Sequence, residues 1–286
     1  MFDTHCHLNF QSFEQTIEST IKEAFDLGVE QIVIPGTEVA SSKRAIEIAS
    51  SYKNIYAAVG IHPHHVYEYQ SQKSKVKSQS YKVKLKSDLK KIEKLLKEPK
   101  VVAVGEVGLD RHYYEKTKYT SYQINSEFLL LQKEILVMQI ELAKKHKKSL
   151  ILHNRETKKE FLEVLDGIWD ASLSGHTVFH CCEPDKEFLA YAKARGIFIG
   201  VDGDVTYSKE KRAFAAAVPL EMLVLETDSP FLLPEPYRSY PKEKKPLNSP
   251  KRIKDIGVYI AGLKNEPEAL VFKKTTENAR KLFHLS

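Results

Sequence analysis

His5 and His7 are the first residues in the chain equipped for chemistry. Two apart on a strand, they project both imidazoles to one side, where neutral ring nitrogens can ligate a divalent cation. Alone, a His-x-His pair is ordinary, since core and surface histidines share this spacing. The pair gains weight from four further residues that each close a short apolar, β-rich run. Glu106 follows Val101-Val102-Ala103-Val104-Gly105, His153 follows Leu150-Ile151-Leu152, His180 follows Val178-Phe179, and Asp228 follows Leu225-Glu226-Thr227. Any one of these reads equally well as a satisfied polar residue at a strand end or, for Asp228, as a helix cap. A carboxylate placed directly after the Val-rich run at Glu106 would be costly to bury unpaired. Together, four imidazoles and two carboxylates suffice for two divalent cations if one carboxylate bridges them. The chemistry of such a pair is hydrolysis by an acidified water.

Eight elements must position these side chains. The apolar runs are Phe2 to His7, Gln31 to Gly36, Ile55 to Ile61, Val101 to Glu106, Ser149 to His153, Thr177 to Cys181, Ile197 to Val201 and Leu223 to Asp228. Most are nearly continuous in hydrophobicity, as in Ile32-Val33-Ile34, which suits parallel strands covered on both faces. Between them the period changes to that of helices. Phe128, Leu131, Ile135, Met138 and Leu142 step by three and four and predict one apolar face of a long helix. Ile21, Ala24 and Phe25 precede a break at Gly28, and Phe188, Leu189 and Ala192 precede one at Gly196, as helix C-termini do. Alternation of strand and helix eight times over predicts an α/β fold of the (β/α)8 TIM-barrel type. A doubly wound open sheet is the alternative, but it would not gather the six residues. In a barrel, strand C-termini converge on one face, where active sites lie.

A chain of 286 residues suits one large domain spanning 1–286. Hydrophobic residues make up 42% of it, enough for a substantial core. No apolar stretch approaches the roughly 18–20 residues of a membrane span. No basic start followed by an apolar run is present, so a cytoplasmic location without a signal peptide is expected. Cys6, Cys181 and Cys182 offer no CxxC pair, and adjacent cysteines rarely bridge, which fits a reducing compartment and argues against a zinc knuckle. The net charge of +6 is a mild excess. Its placement is more pointed, because residues 70–87 hold six lysines and no acid. Residues 111–122 gather Arg111, His112, Tyr113, Tyr114, Lys116, Lys118, Tyr119 and Tyr122. Both segments follow a strand, so both are expected on the site's face of the barrel. The lysines could track a phosphate backbone and Tyr113, Tyr114 and Tyr119 could stack on bases. A solvated insertion with ordinary loop tyrosines is the plainer reading.

Several stretches resemble the TatD-like metal-dependent deoxyribonucleases, a family of the wider amidohydrolase-like barrel superfamily. They are Asp3-Thr4-His5-Cys6-His7-Leu8, Gly60-Ile61-His62-Pro63-His64, Val104-Gly105-Glu106-Val107-Gly108-Leu109-Asp110, Leu152-His153-Asn154-Arg155, Phe179-His180-Cys181 and Leu225-Glu226-Thr227-Asp228-Ser229-Pro230-Phe231-Leu232. The tail from Thr275 to Phe283 matches as well, so the resemblance spans nearly the whole chain in order. It implies a metallo-dependent hydrolase barrel in which His5, His7, Glu106 and Asp228 hold one metal. Glu106, His153 and His180 would hold the second, with Glu106 bridging. Many superfamily members bridge with a carbamylated lysine instead, but Lys100 sits at the wrong end of that strand, which favours the phosphoesterase branch.

The activity implied is two-metal hydrolysis of DNA phosphodiesters, with Mg²⁺, Mn²⁺ or Zn²⁺ as candidate ions and Asp228 and Glu106 as catalytic residues. His62 and Arg155 are expected to contact phosphate, Arg155 as a bidentate fork. DNA, including single strands or ends, is the expected partner; no membrane and no obligate protein partner are expected. A phosphoesterase or aminoacyl-tRNA deacylase would use the same metal site, and a catalytically idle binding module would have no need of it. The chain departs from the family at Cys182-Glu183-Pro184, where a small Ser/Gly segment is usual and Glu183 adds negative charge. It departs again at Leu247-Asn248-Ser249-Pro250, which keeps only the Asn and Pro of the usual Arg-Asn-x-Pro.

Overall fold

A computed structural model describes residues 1–70, 79–119 and 122–285. Eight parallel strands form one sheet in the order β1 to β8. They are β1 Phe2–Asp3, β2 Gln31–Pro35, β3 Ile55–Val59, β4 Val101–Asp110, β5 Ser149–Arg155, β6 Thr177–Phe179, β7 Phe198–Val201 and β8 Leu223–Leu225. The seam between β8 and β1 is laced by backbone hydrogen bonds beyond the strands. Thr4 N donates to Leu225 O (3.1 Å), Asp228 N to His5 O (2.9 Å) and His7 N to Ser229 O (2.8 Å). Helices cover the outside: α1 Ile17–Asp26, α2 Val39–Ser50, α3 Gln79–Leu95, α4 Ser126–His146, α5 Lys158–Ile168, α6 Lys186–Arg195, α7 Lys209–Ala217, α8 Ile253–Lys264 and α9 Glu268–Leu282. This is the (β/α)8 barrel the alternation predicts. No helix among the described residues is long and apolar enough to cross a membrane.

Two cores hold the barrel. The larger lies between the sheet and the helices. The smaller fills the barrel itself with residues from every strand: Phe2, Val33, Ala58, Val102, Ala103, Ile151, Val178, Phe198 and Val224. Ala279, Leu282 and Phe283 at the end of α9 plug its lower end, with the Phe283 ring 5.9 Å from that of Phe2. The C-terminal match to the family is therefore a packing feature, remote from the chemistry. Lys100 also lies at the lower end, its ammonium donating to Tyr52 O (2.5 Å) and Lys53 O (2.8 Å).

Three details differ from expectation. First, β1, β6 and β8 stop before the ligand-type residues, because the backbone beyond them turns to other partners, such as Thr227 N to the Asp3 carboxylate (3.0 Å). Second, β4 runs on to Asp110, so Glu106 is interior to it. The pairing of β4 with β5 shifts register between Val104 and Val107, an irregularity of the kind that re-aims a side chain. Third, the buried face of α4 runs through Phe128, Leu131, Gln132, Ile135, Leu136, Gln139, Ile140 and Ala143, leaving Met138 37% exposed. Two buried glutamines displace it because each clamps a backbone segment of the site. Of the lysine-rich 70–87 stretch, residues 71–78 lie outside the described residues, and from Gln79 onward the chain is α3.

Candidate metal centre

All eight residues singled out by sequence meet at the C-terminal end of the strands. His5 and His7 follow β1 directly. Beneath them the buried Asp3 carboxylate accepts from Thr227 Oγ1 (2.6 Å), Thr227 N (3.0 Å) and His5 N (3.3 Å), tying the start of the β1 loop to that of β8. Burial pushes the Asp3 carboxyl up to about 8, against the pull of those hydrogen bonds. Asp228 sits five residues past the start of β8 with φ +48, and Cys181, after β6, has φ +44. Such left-handed residues cost about 1–2 kcal/mol each and collect where a site dictates the backbone.

Glu106 is the hub. Its Oε2 lies 3.4 Å from His5 Nε2 and 3.8 Å from His7 Nε2. Its Oε1 lies 2.7 Å from His153 Nδ1, 3.4 Å from His62 Nε2 and 3.7 Å from His180 Nε2. Asp228 Oδ1 closes the first group at 3.4 Å from His7, 3.7 Å from His5 and 3.8 Å from His180. The Nε2 atoms of His5 and His7 are 3.2 Å apart. Most of these separations are long for hydrogen bonds. They match a coordination polyhedron: with cation–ligand bonds of about 2.0–2.2 Å, neighbouring ligands of a tetrahedron stand about 3.3–3.6 Å apart. The groups His5–His7–Glu106, His5–His180–Asp228 and Glu106–His153–His180 each bring their ligand atoms within 4.8 Å of one another. A buried set of imidazoles and carboxylates at this spacing fits divalent cations.

Carboxylates stand behind two of the histidines. Asp110 Oδ2 is 3.1 Å from His153 Nε2 and accepts from the Tyr114 hydroxyl at 2.6 Å. Glu226 Oε2 is 3.0 Å from His180 Nδ1, while its Oε1 accepts from Cys181 N at 2.5 Å. Such pairs fix ring orientation and make the facing nitrogen more basic. The electrostatics follow. Burial opposes charge on His153, but hydrogen bonds to Asp110 and Glu106 prevail and lift it to about 9. Burial likewise opposes charge on His180, and Glu226 and Glu106 raise it to about 10. Burial and the neighbouring His180 push His5 down to about 4. Glu106 is fully ionised despite its burial, held well below the usual carboxylate range by His62, His180 and His5. The carboxylate charge at the centre is thus balanced by protons on His153 and His180, protons that a bound cation would displace.

Above the centre opens a cleft of about 750 Å³, lined among others by His62, Arg155, Lys116, Tyr114, Phe10 and Phe231. Arg155 ends β5 and lays its guanidinium over the Tyr114 ring, 5.6 Å from the centroid. Its Nη1 donates to the Tyr114 hydroxyl at 3.4 Å, and among the described residues it has no carboxylate partner, so its charge is available to an anion. His62 lines the cleft with its Nε2 3.4 Å from Glu106 Oε1, as near to that carboxylate as His5 is. Glu183 lines the cleft with both oxygens engaged, accepting from Asn154 Nδ2 (2.5 Å) and Glu156 N (2.9 Å) and so bracing the loop after β5. Tyr119 and Tyr122 pack their rings against His64 and Tyr67, with Tyr122 also on Phe128, and the Tyr119 hydroxyl pairs with His65 at 2.8 Å.

The sequence reading left out the residues that support the centre. Gln139 exchanges two hydrogen bonds with Ile61 (2.7 and 3.0 Å), next to His62, and Gln132 does the same with Asp110 (both 2.9 Å). Asn248 donates to Thr227 O (2.9 Å) and to Phe231 O, pinning the loop of Asp228. Glu226 carried a signal in standing two before Asp228, as His5 stands two before His7, and Asn248 in being kept from the family's Arg-Asn-x-Pro; Gln132 and Gln139 carried none.

Comparison with known proteins agrees with this geometry. The profile of the family described as TatD related DNase matches residues 2–284. A Bacillus subtilis protein named uncharacterized metal-dependent hydrolase YabD is 30% identical, with 100% of each chain covered. The Escherichia coli protein named 3'-5' ssDNA/RNA exonuclease TatD is 28% identical, also over 100% of both chains. Among solved structures, the TatD homolog YjjV of E. coli superposes with a TM-score of 0.79 at 27% identity, covering 100% of this chain and 98% of that one. The chain belongs to the TatD-related DNase family.

Proposed function

We propose that the protein hydrolyses phosphodiester bonds of DNA, single strands included, using two divalent cations bridged by Glu106. The observation that carries this reading is the carboxylate of Glu106, whose two oxygens address different nitrogen sets: Oε2 toward His5 and His7, Oε1 toward His153, His62 and His180. His5, His7 and Asp228 would hold one cation, and His153 and His180 the other; Mg²⁺, Mn²⁺ and Zn²⁺ all accept such donors. When bound, a pair of this kind acidifies water and offsets charge developing on a phosphoryl group.

The chain's own groups complete the reaction. Asp228 is held below the usual carboxylate range, against its burial, by His7, His180 and His5. It is therefore ionised at neutral pH and accepts the proton of the attacking water. Arg155, free of carboxylates, grips a phosphate oxygen, and His62 lies on the same side. The names of the E. coli and Shigella flexneri relatives, 3'-5' ssDNA/RNA exonuclease, support nucleic acid as substrate.

The test uses metal-stripped protein with Mg²⁺, Mn²⁺ or Zn²⁺ restored, acting on labelled single-stranded DNA beside Glu106→Ala. Restored wild type degrades the strand, and Glu106→Ala loses roughly 10³-fold or more, as expected when the main electrostatic stabilisation goes. DNA that survives every metal, while a small phosphodiester is hydrolysed, would exclude the nuclease and leave a phosphoesterase. Wild-type metal content and activity in Glu106→Ala would exclude the bridge.

A further inference from the structure

Phe231 is 51% exposed, yet it is no stray surface residue, because it lines the cleft three residues beyond Asp228. Its backbone is pinned on both sides: Phe231 N donates to Asp228 O (2.9 Å), and its carbonyl accepts from the buried Asn248. Its ring stands edge-on to Phe10 (6.0 Å, 78°) and to His7 (6.2 Å, 72°). Phe10 in turn stacks on His7 at 4.4 Å and 24°. A rigid apolar ledge therefore leads directly from a candidate metal ligand into the cleft, with Leu232 beside it.

The loop after β4 is aromatic as well, but its exposed Tyr113 is not among the residues lining the cleft and its other tyrosines are engaged. Tyr114 is bound to Asp110 and faced by Arg155, and Tyr119 and Tyr122 are packed among their neighbours. Lys211, on the ledge's side, is occupied by Asp204 (3.0 Å) and Cys181 O (3.1 Å). The ledge thus meets its ligand through a flat π surface, and not through hydrogen-bond donors or acceptors of its own.

We infer that Phe231, backed by Phe10, is the stacking platform for an unpaired nucleobase of the nucleotide whose phosphate lies at the metal centre. The inference rests on the nuclease reading above. Every base has a π face, so the platform tolerates all sequences; it selects single strands, since paired bases remain stacked on one another. The ring is a positioning and specificity residue and touches no reacting atom.

The test compares single-stranded oligothymidylate with the same backbone carrying abasic tetrahydrofuran residues, under the best metal. Wild type prefers the base-bearing strand by about tenfold or more in kcat/KM, the scale of base–aromatic stacking, and mainly through KM. In Phe231→Ala this preference collapses toward one, and Phe231→Trp restores it. Phe231→Leu keeps the bulk without the π face and also loses the preference, which guards against a folding defect in the alanine variant. Equal use of both strands by wild type would overturn the platform while leaving the nuclease standing. So would equal slowing on both strands in Phe231→Ala, which would make the ring a support for the Asp228 loop. Failure of wild type to cleave either strand would remove the nuclease reading and the platform together.

Discussion

Asp110 and Glu226 make the clearest residue-scale prediction. Each lies against the far ring nitrogen of a histidine that faces Glu106, at 3.1 and 3.0 Å. Asp110→Asn and Glu226→Gln keep shape but remove the charge that orients the ring, so each lowers metal affinity or activity about 10–100-fold. Metal titration of both variants checks this; wild-type affinity in either would reduce the pair to structural polar contacts. At this scale the sequence was informative about types and silent about partners. His5, His7, His153 and His180 announce themselves because imidazoles at the ends of apolar runs are unusual. Glu226 and Asp110 are ordinary acids until the fold places a histidine against them. Gln132 and Gln139 were hidden for another reason: on a helix face read for apolar periodicity, a buried amide looks like a gap.

At the scale of elements, β4 and β5 form the spine of the site, since Glu106 and Asp110 lie on one and His153 and Arg155 on the other. Gly108 pairs with His153 across them, and a Cβ added there would lie 1.8 Å from His153 O. Backbone cannot yield as a side-chain end can, so Gly108→Ala destabilises the fold by about 3 kcal/mol or more. Gly167→Ala in α5, where nothing lies within 4 Å, stays within about 1 kcal/mol of wild type. Urea unfolding of both variants measures the contrast, and equal midpoints would mean that the β4–β5 approach is looser than the register implies. All eight strands were legible from their hydrophobic runs, because burial on both faces leaves little alternation to confuse. Their ends were not, since at the mouth of the barrel hydrogen bonds to side chains such as Asp3 and Glu226 replace the ladder.

The whole molecule divides by function along the barrel axis. The lower end is filled by side chains and sealed by α9, while the upper end gathers nearly all the buried charge. The charge excess of +6 was legible, but its purpose was not. In α3, Leu85 and Ile92 are buried, as is Leu96 just beyond it, and Lys82, Lys86, Lys90 and Lys94 face solvent, as on any amphipathic covering helix. Lys84 and Lys91 pair with Asp88, both at 2.8 Å. A cation pair at the top of the barrel, held on either side of Glu106, would show itself in anomalous scattering from crystals grown with Mn²⁺ or Zn²⁺. Two peaks flanking the Glu106 carboxylate, about 3.5–4 Å apart, are expected. A single fully occupied peak, or peaks that persist unchanged in Glu106→Ala, would contradict that arrangement.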